Sequence, residues 1–167
     1  RHAQAFPSFG SERTGAPVVA FCRIADKTIR LREPIMEPDA LIIQDPTLLH
    51  QVDVFSGFKQ DGYVLINTGK SFEALGLGKV AEGFRHERIC AVPATELSIK
   101  HLGRPMPNVP LLGGFAAISG IIKLESVIKA INGKFSGKVA ESNIAAATEA
   151  YQIVMAEKLS AQGAQHA

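Results

Sequence analysis

The sequence predicts an α/β fold with a mostly parallel, doubly wound sheet and a helical C-terminal section. In the first part of the chain, short apolar runs alternate with helical stretches, as expected for strands joined by crossover helices. Two of these runs, 39–45 and 62–68, are continuously apolar at their centres, which is typical of parallel strands buried on both faces. From Thr95 onward the pattern indicates helices only.

Four apolar runs are predicted to be strands of this one Rossmann-like sheet. They are Ala16–Ile24, Leu41–Asp45, Tyr63–Asn67 and Ile89–Val92. The first run follows a loop rich in turn residues, so antiparallel pairing at an edge is the alternative for that strand.

Helices are predicted between and after the strands. The candidates between strands are 47–55 and 71–84, the second of which contains several glycines. In the C-terminal section, breaks are expected at 103–110, at Gly120 and at 132–137. Apolar residues recur at steps of three and four through 140–158, which predicts an amphipathic last helix followed by a frayed tail at 161–167.

The composition favours one globular domain spanning residues 1–167. Of the 167 residues, 46% are hydrophobic and 20% are charged, which argues against disorder. The net charge of +2 is too small to suggest nucleic acid or an anionic membrane, and no apolar run reaches the ~20 residues of a membrane helix. Two cysteines make no disulfide framework, so we expect a cytoplasmic protein. Because the chain starts at Arg1, we also expect that an N-terminal portion is missing or was removed.

The number and spacing of particular residues argue against several well-known kinds of binding site. The sequence "GKS" at Gly69 resembles the end of a phosphate loop, but Val64 stands where that loop requires glycine. Two cysteines are too few for an iron–sulfur cluster, and the five histidines lack paired metal spacing. Cys90 is interpreted as an inert buried thiol, with a nucleophile as the alternative. We therefore assign no catalytic and no metal-binding residue.

Two places could contact a ligand. Asp45 and Asn67 each end a predicted parallel strand, where open α/β sheets bind ligands, although Asp45 could instead cap the helix after Pro46. The loop "SFGSERTGAPV" carries Arg13 among glycines and hydroxyl residues. It is either a solvated surface turn or a loop built to face an anion.

Several stretches of the sequence carry a family resemblance: residues 3–49, "GYVLINT", "VPATELSIKHLGRPMPNVPLLGGFAAISGII" and "NIAAATEAYQI". In these stretches the chain resembles the gamma subunit, or gamma domain, of the 2-oxoacid:ferredoxin oxidoreductases. The sequence "SERTGAPV" is more similar to the pyruvate and branched or aromatic 2-oxoacid branches than to the 2-oxoglutarate branch. Family domains open with a strand and a "GRGGQG"-like loop, and this chain lacks both, which matches the missing start.

The resemblance implies a part in a multi-subunit enzyme. Such complexes convert a 2-oxoacid to an acyl-CoA with thiamine diphosphate and Mg, [4Fe–4S] clusters and coenzyme A, and they pass electrons to ferredoxin or another acceptor. Alpha, beta and delta-type subunits hold the thiamine and the clusters, so this chain is expected to bind no such cofactor alone and to be inactive alone. Its expected contribution is to assembly and to the coenzyme A site. The residues implied for that site are Ser11, Arg13, Thr14, Gly15, Asp45 and Asn67.

Two alternatives differ in class. The chain could be a non-catalytic scaffold subunit whose apolar stretch 108–122 forms an interface, although burial in its own core explains that stretch as well. It could also be a flavodoxin-like binding domain, which would bind flavin tightly when isolated.

Overall fold

The computed structural model describes residues 1–8 and 17–164, which form five strands and five α helices. The strands are β1 (His2–Ser8), β2 (Val19–Ala25), β3 (Ala40–Ile43), β4 (Tyr63–Asn67) and β5 (Ile89–Val92). The helices are α1 (Gly78–Glu82), α2 (Ala94–Leu102), α3 (Asn108–Ser119), α4 (Leu124–Lys134) and α5 (Gly137–Ala164), with short 3₁₀ helices at Pro46–His50 and His86–Arg88. The chain divides into two compact units, Arg1–Pro38 and Asp39–Ala167.

The first unit is built on a β hairpin. Strands β1 and β2 pair antiparallel, with His2 opposite Ala25 and Ser8 opposite Val19. On one face of the hairpin, the tilted rings of Phe6 and Phe21 pack with centroids 5.5 Å apart, and the Arg23 guanidinium lies 6.0 Å from the centre of the Phe6 ring. Aromatic cross-strand pairs of this kind stabilise a two-stranded sheet.

The prediction that Ala16–Ile24 belongs to the parallel sheet is therefore wrong. The alternative, antiparallel pairing at an edge of that sheet, is correct about the antiparallel pairing but not about the sheet. The strand begins at Val19 and pairs with β1, which was not predicted, in a separate two-stranded sheet. Along β2, half-buried residues such as Arg23 alternate with exposed ones such as Cys22. That alternation is typical of a strand with one face in solvent, not of a strand covered on both faces.

The second unit is organised around a parallel sheet in the order β3-β4-β5. Leu41 lies opposite Val64, and Val64 opposite Ile89. Four of the five residues of β4 are buried. Leu65 joins an apolar cluster with helices α3 and α5, whereas its neighbour Val64 joins a cluster on the other face of the sheet. The three predicted parallel strands are thus confirmed, and so is the two-sided burial of β4. Two-sided burial is wrong for β3, because Ile42 of this edge strand is 41% exposed.

Helix α3 is the centre of the helical section. Seven of its residues are buried: Pro110, Leu111, Gly113, Gly114, Ala116, Ala117 and Ile118. A Cβ atom at Gly113 would lie 2.8 Å from the carbonyl carbon of Ala147 in α5, and one at Gly114 would lie 3.2 Å from Leu65 in β4. Two adjacent glycines thus let α3 approach both α5 and the sheet. The seven buried residues of the apolar stretch 108–122 are therefore core and do not form a partner surface, whereas Leu112 and Ile121 of the same stretch are exposed.

The predicted last helix is confirmed and extends beyond 140–158 at both ends. The breaks at 103–110, Gly120 and 132–137 also lie between helices or at their ends. The two helices predicted between strands are wrong in extent. In 47–55 only the 3₁₀ turn Pro46–His50 forms, and Asp53 accepts a turn hydrogen bond from the Phe55 amide (3.2 Å). In 71–84 only α1 forms, because Gly76 has a φ of 73° and interrupts the helix.

We expect Gly113→Ala to lower the free energy of unfolding by about 3 kcal/mol, because the new methyl group would overlap the backbone of α5. Gly133→Ala is the matched control. It lies in α4 with no atom within 4 Å of the added Cβ, and it should be neutral or stabilising by up to about 1 kcal/mol. Urea unfolding of both variants checks this. Equal stability of the two variants would show that α3 and α5 are not in close contact at Gly113.

Candidate functional site

A polar cleft of about 450 Å³ lies at the carboxyl end of the parallel sheet. Its walls come from the segments that follow β3, β4 and β5, and from the turn before α3. The lining residues are Gln44, Asp45, Pro46, Asn67, Thr68, Thr95, Glu96 and Pro107. This is the edge at which open α/β sheets bind ligands. The structure therefore brings Asp45 and Asn67 together in one cleft.

Asp45 caps the 3₁₀ helix Pro46–His50 and lines the cleft as well. Its Oδ1 accepts hydrogen bonds from the hydroxyl of Thr47 (2.7 Å) and from the Thr47 backbone amide (2.9 Å). Those bonds, the hydroxyl bond first, hold the pKa of the Asp45 carboxyl below its ordinary value. The capping interpretation is confirmed. Among the described residues nothing donates to Oδ2, so this oxygen can accept a hydrogen bond from a ligand.

Asn67 is buried at the end of β4 and hydrogen-bonds within the protein. Its Nδ2 donates to the carbonyl oxygen of Gln44 (2.8 Å) and to Oγ1 of Thr95 (2.8 Å). Its Oδ1 accepts from the Thr95 amide (3.1 Å). Both amide protons are thereby engaged, so Asn67 can donate to a ligand only by giving up one of these bonds.

The charge of the cleft limits what it can hold. Asp45 and Glu96 are acidic, and no lysine or arginine is among the described residues that line it. Carboxylates repel phosphate groups, whereas they accept hydrogen bonds from hydroxyl, amide and amino groups. The cleft thus suits an uncharged group that donates hydrogen bonds, and it does not by itself suit a phosphate.

The other residues implied for a coenzyme A site are Ser11, Arg13, Thr14 and Gly15, which lie outside the described residues. Sequence reasoning missed Thr95 and Glu96. Both follow β5 directly, after Pro93, and the strand-end rule that identified Asp45 and Asn67 would have found them had it been applied to the third parallel strand.

The far end of helix α2 is held by Glu149 of α5. The carboxylate of Glu149 lies 2.7 Å from Nζ of Lys100 and 2.6 Å from Nε2 of His101. Lys100 first, and then His101, lower the pKa of the Glu149 carboxyl. Because Thr95 and Glu96 stand on the first turn of α2, this contact helps fix one wall of the cleft.

Cys90 faces the helices from β5 and is buried. Burial, followed by a hydrogen bond to the Glu157 carboxylate, raises the pKa of the Cys90 thiol. A thiol in this state is a poor nucleophile, which favours the inert interpretation.

Within residues 1–8 and 17–164, no group of three or more His, Cys, Asp or Glu side chains could hold a metal ion. No helix there is both long and apolar enough to cross a membrane.

Comparison with known proteins identifies the family. The model of the pyruvate ferredoxin/flavodoxin oxidoreductase family matches residues 1–153. The chain belongs to this family. The gamma-type resemblance, and the expectation that the chain is an oxidoreductase subunit, are confirmed.

Named relatives of this oxidoreductase subunit span most of its length. The chain is 45% identical over 152 residues to the "pyruvate/ketoisovalerate oxidoreductases common subunit gamma" of Pyrococcus abyssi, covering 91% of this chain and 80% of the relative. It is 46% identical over 151 residues to the "pyruvate synthase subunit PorC" of Methanocaldococcus jannaschii, covering 90% and 79%. The crystal structure of the pyruvate oxidoreductase subunit PORC of Thermotoga maritima matches with a TM-score of 0.73 and 34% identity, covering 91% of this chain and 79% of that chain. This structural match confirms the α/β fold class.

We expect Glu149→Gln to lower the free energy of unfolding at pH 7 by about 1 kcal/mol or less, since the ion pair is partly exposed. The lowered pKa means that this contribution is present above the pKa of the unfolded chain, near 4.5. It is lost as the pH falls through the folded-state value. Urea unfolding from pH 7 to pH 3 should therefore show the two proteins converging in acid. Glu141→Gln, an exposed change on the same helix, is the control, and a pH-independent gap for Glu149→Gln would contradict the expectation.

Proposed function

We propose that this chain is the gamma component of a 2-oxoacid oxidoreductase complex that oxidatively decarboxylates pyruvate or a branched or aromatic 2-oxoacid to an acyl-CoA. The observation that carries the proposal is the identity of 45% to a common gamma subunit of pyruvate and ketoisovalerate oxidoreductases, over 91% of this chain. The polar cleft at the carboxyl edge of the sheet adds a candidate place for a ligand.

The proposed complex contains alpha, beta and delta-type subunits. They hold thiamine diphosphate with Mg and the [4Fe–4S] clusters, and the electrons leave to ferredoxin or another acceptor. The cofactors supply the decarboxylation and the electron transfer, whereas this chain completes the assembly and helps bind coenzyme A. With two cysteines in the whole chain, one of them buried in β5, its own residues do not fit a cluster that needs four thiolates.

Two regions of this chain are candidates for contact with coenzyme A, and each is proposed on its own chemistry. The cleft, through Asp45 and Thr95, accepts hydrogen bonds from uncharged parts of the molecule. The loop with Ser11, Arg13, Thr14 and Gly15 supplies a guanidinium, hydroxyl groups and backbone donors for the phosphates. The absence of lysine and arginine from the described cleft lining supports this division, because the phosphates then need a cation from elsewhere.

A second candidate is a scaffold subunit that makes no contact with coenzyme A. The hairpin favours it, because one face carries only small or apolar side chains and all of them are exposed. These are Ala3, Ala5, Pro7, Ala20, Cys22 and Ile24. A face of this composition is suited to burial against another subunit.

The effect of Arg13→Ala on the assembled complex separates the two candidates. We expect the apparent KM for coenzyme A to rise about ten- to a hundredfold, because a charge-assisted hydrogen bond is worth roughly 1.5–3 kcal/mol. Coenzyme A-independent decarboxylation of pyruvate should change less. Arg13→Lys should recover part of the loss, since lysine keeps the charge but not the bidentate geometry.

The chain alone is the second arm of the experiment. Given pyruvate, thiamine diphosphate, coenzyme A and a reducible dye, it should show no turnover, whereas the reconstituted complex should. Turnover by the lone chain would refute its proposed place in a complex. An unchanged KM for coenzyme A in a correctly assembled Arg13→Ala enzyme would favour the scaffold.

A further inference from the structure

Three walls of the cleft are joined by a network of part-buried hydrogen bonds. Asn67, 6% exposed, connects the carbonyl of Gln44 after β3 with Thr95 in the first turn of α2 (2.8 Å for each Nδ2 bond). The Thr95 amide returns a bond of 3.1 Å to Oδ1 of Asn67. One side chain at the end of the central strand thus ties together the segments that leave both outer strands.

Ser98 extends this hydrogen-bond network to the fourth wall of the cleft, which is the turn before α3. This fully buried hydroxyl donates to the carbonyl oxygen of Thr95 (2.7 Å) and accepts from the amide of Met106 (2.9 Å). Met106 precedes Pro107, which lines the cleft ahead of α3. The chain of bonds therefore runs from Gln44 through Asn67, Thr95 and Ser98 to Met106.

We propose that Asn67 and Ser98 are positioning residues, which set the shape of the cleft for coenzyme A without contacting it. This inference rests on the proposed function for the identity of the ligand. The two amide protons of Asn67 are engaged with Gln44 and Thr95, and Ser98 is fully buried. Such a network holds ligand-facing groups in a single geometry, because every broken bond would leave a polar atom of the buried Asn67 or Ser98 side chain unpaired.

Asn67→Asp tests the network with almost no change in shape. The carboxylate would face the carbonyl oxygen of Gln44, where the amide now donates, and Asp45 and Glu96 line the same cleft. These acceptors and negative charges favour the protonated form, so acid should restore one donated bond. In the assembled complex we expect the KM for coenzyme A to rise about tenfold or more at pH 8, and the ratio to wild type to fall as the pH is lowered to 6.

Hydrogen exchange of the same complexes reports on the network directly. We expect faster exchange in peptides that contain Thr95 and Met106, whose amides donate to Asn67 and Ser98. Asn143→Asp is the matched control: Asn143 is also 6% exposed but bonds only to Val139 one turn earlier in α5. It should leave the KM for coenzyme A unchanged. Ser98→Ala removes one hydroxyl and adds no charge, so the same two measurements are made on this variant if Asn67→Asp does not assemble.

The outcomes are distinguishable. A raised, pH-dependent KM with faster exchange at Thr95 and Met106 supports the positioning role. A raised KM with unchanged exchange overturns the inference and leaves the proposed function standing. Faster exchange with an unchanged KM overturns the inference and removes the cleft from the proposed coenzyme A site, but it leaves the place of the chain in the oxidoreductase complex standing.

Discussion

The close approach of helix α3 to helix α5 is the constraint on which the second unit depends. Gly113 faces the backbone of Ala147, and the next residue, Gly114, faces Leu65 and Val154. A side chain at either position would push α3 away from a neighbour that it now contacts. Since Leu65 lies on the central strand, the two glycines determine how the helical section covers the sheet and hence where the turn before α3 meets the carboxyl ends of the strands.

Some elements could be predicted from the sequence and others could not, and the reasons are physical. The strands at 63–67 and 89–92 and the long last helix follow from local patterns, because continuous apolar runs and a 3.6-residue stripe each have few interpretations. The hairpin could not be assigned in this way, since β2 looks apolar and only its partner β1 shows that one face is in solvent. The helices predicted at 47–55 and 71–84 do not form over their full length. A turn hydrogen bond at Asp53 and the left-handed backbone of Gly76 interrupt segments whose helical patterns are weak.

The candidate site was predictable in place but not in detail. The strand-end rule found Asp45 and Asn67, and the structure puts both in one cleft. It could not reveal that the amide of Asn67 is consumed by Gln44 and Thr95, because hydrogen-bond partners 23 and 28 residues away leave no mark in a local pattern. Nor could it reveal the acidic lining, which depends on Glu96 of the following helix. If the cleft binds part of coenzyme A, as proposed, the cations for the phosphates come from residues that do not line it.

The most direct test of the central claim, that this chain forms part of the coenzyme A site, is a structure of the assembled complex with coenzyme A bound. We expect uncharged atoms of coenzyme A within hydrogen-bond distance of Asp45 or Thr95, and the phosphates beside basic groups that do not line the cleft. Coenzyme A held entirely by other subunits, with the cleft at the end of β4 facing away from it, would contradict the claim.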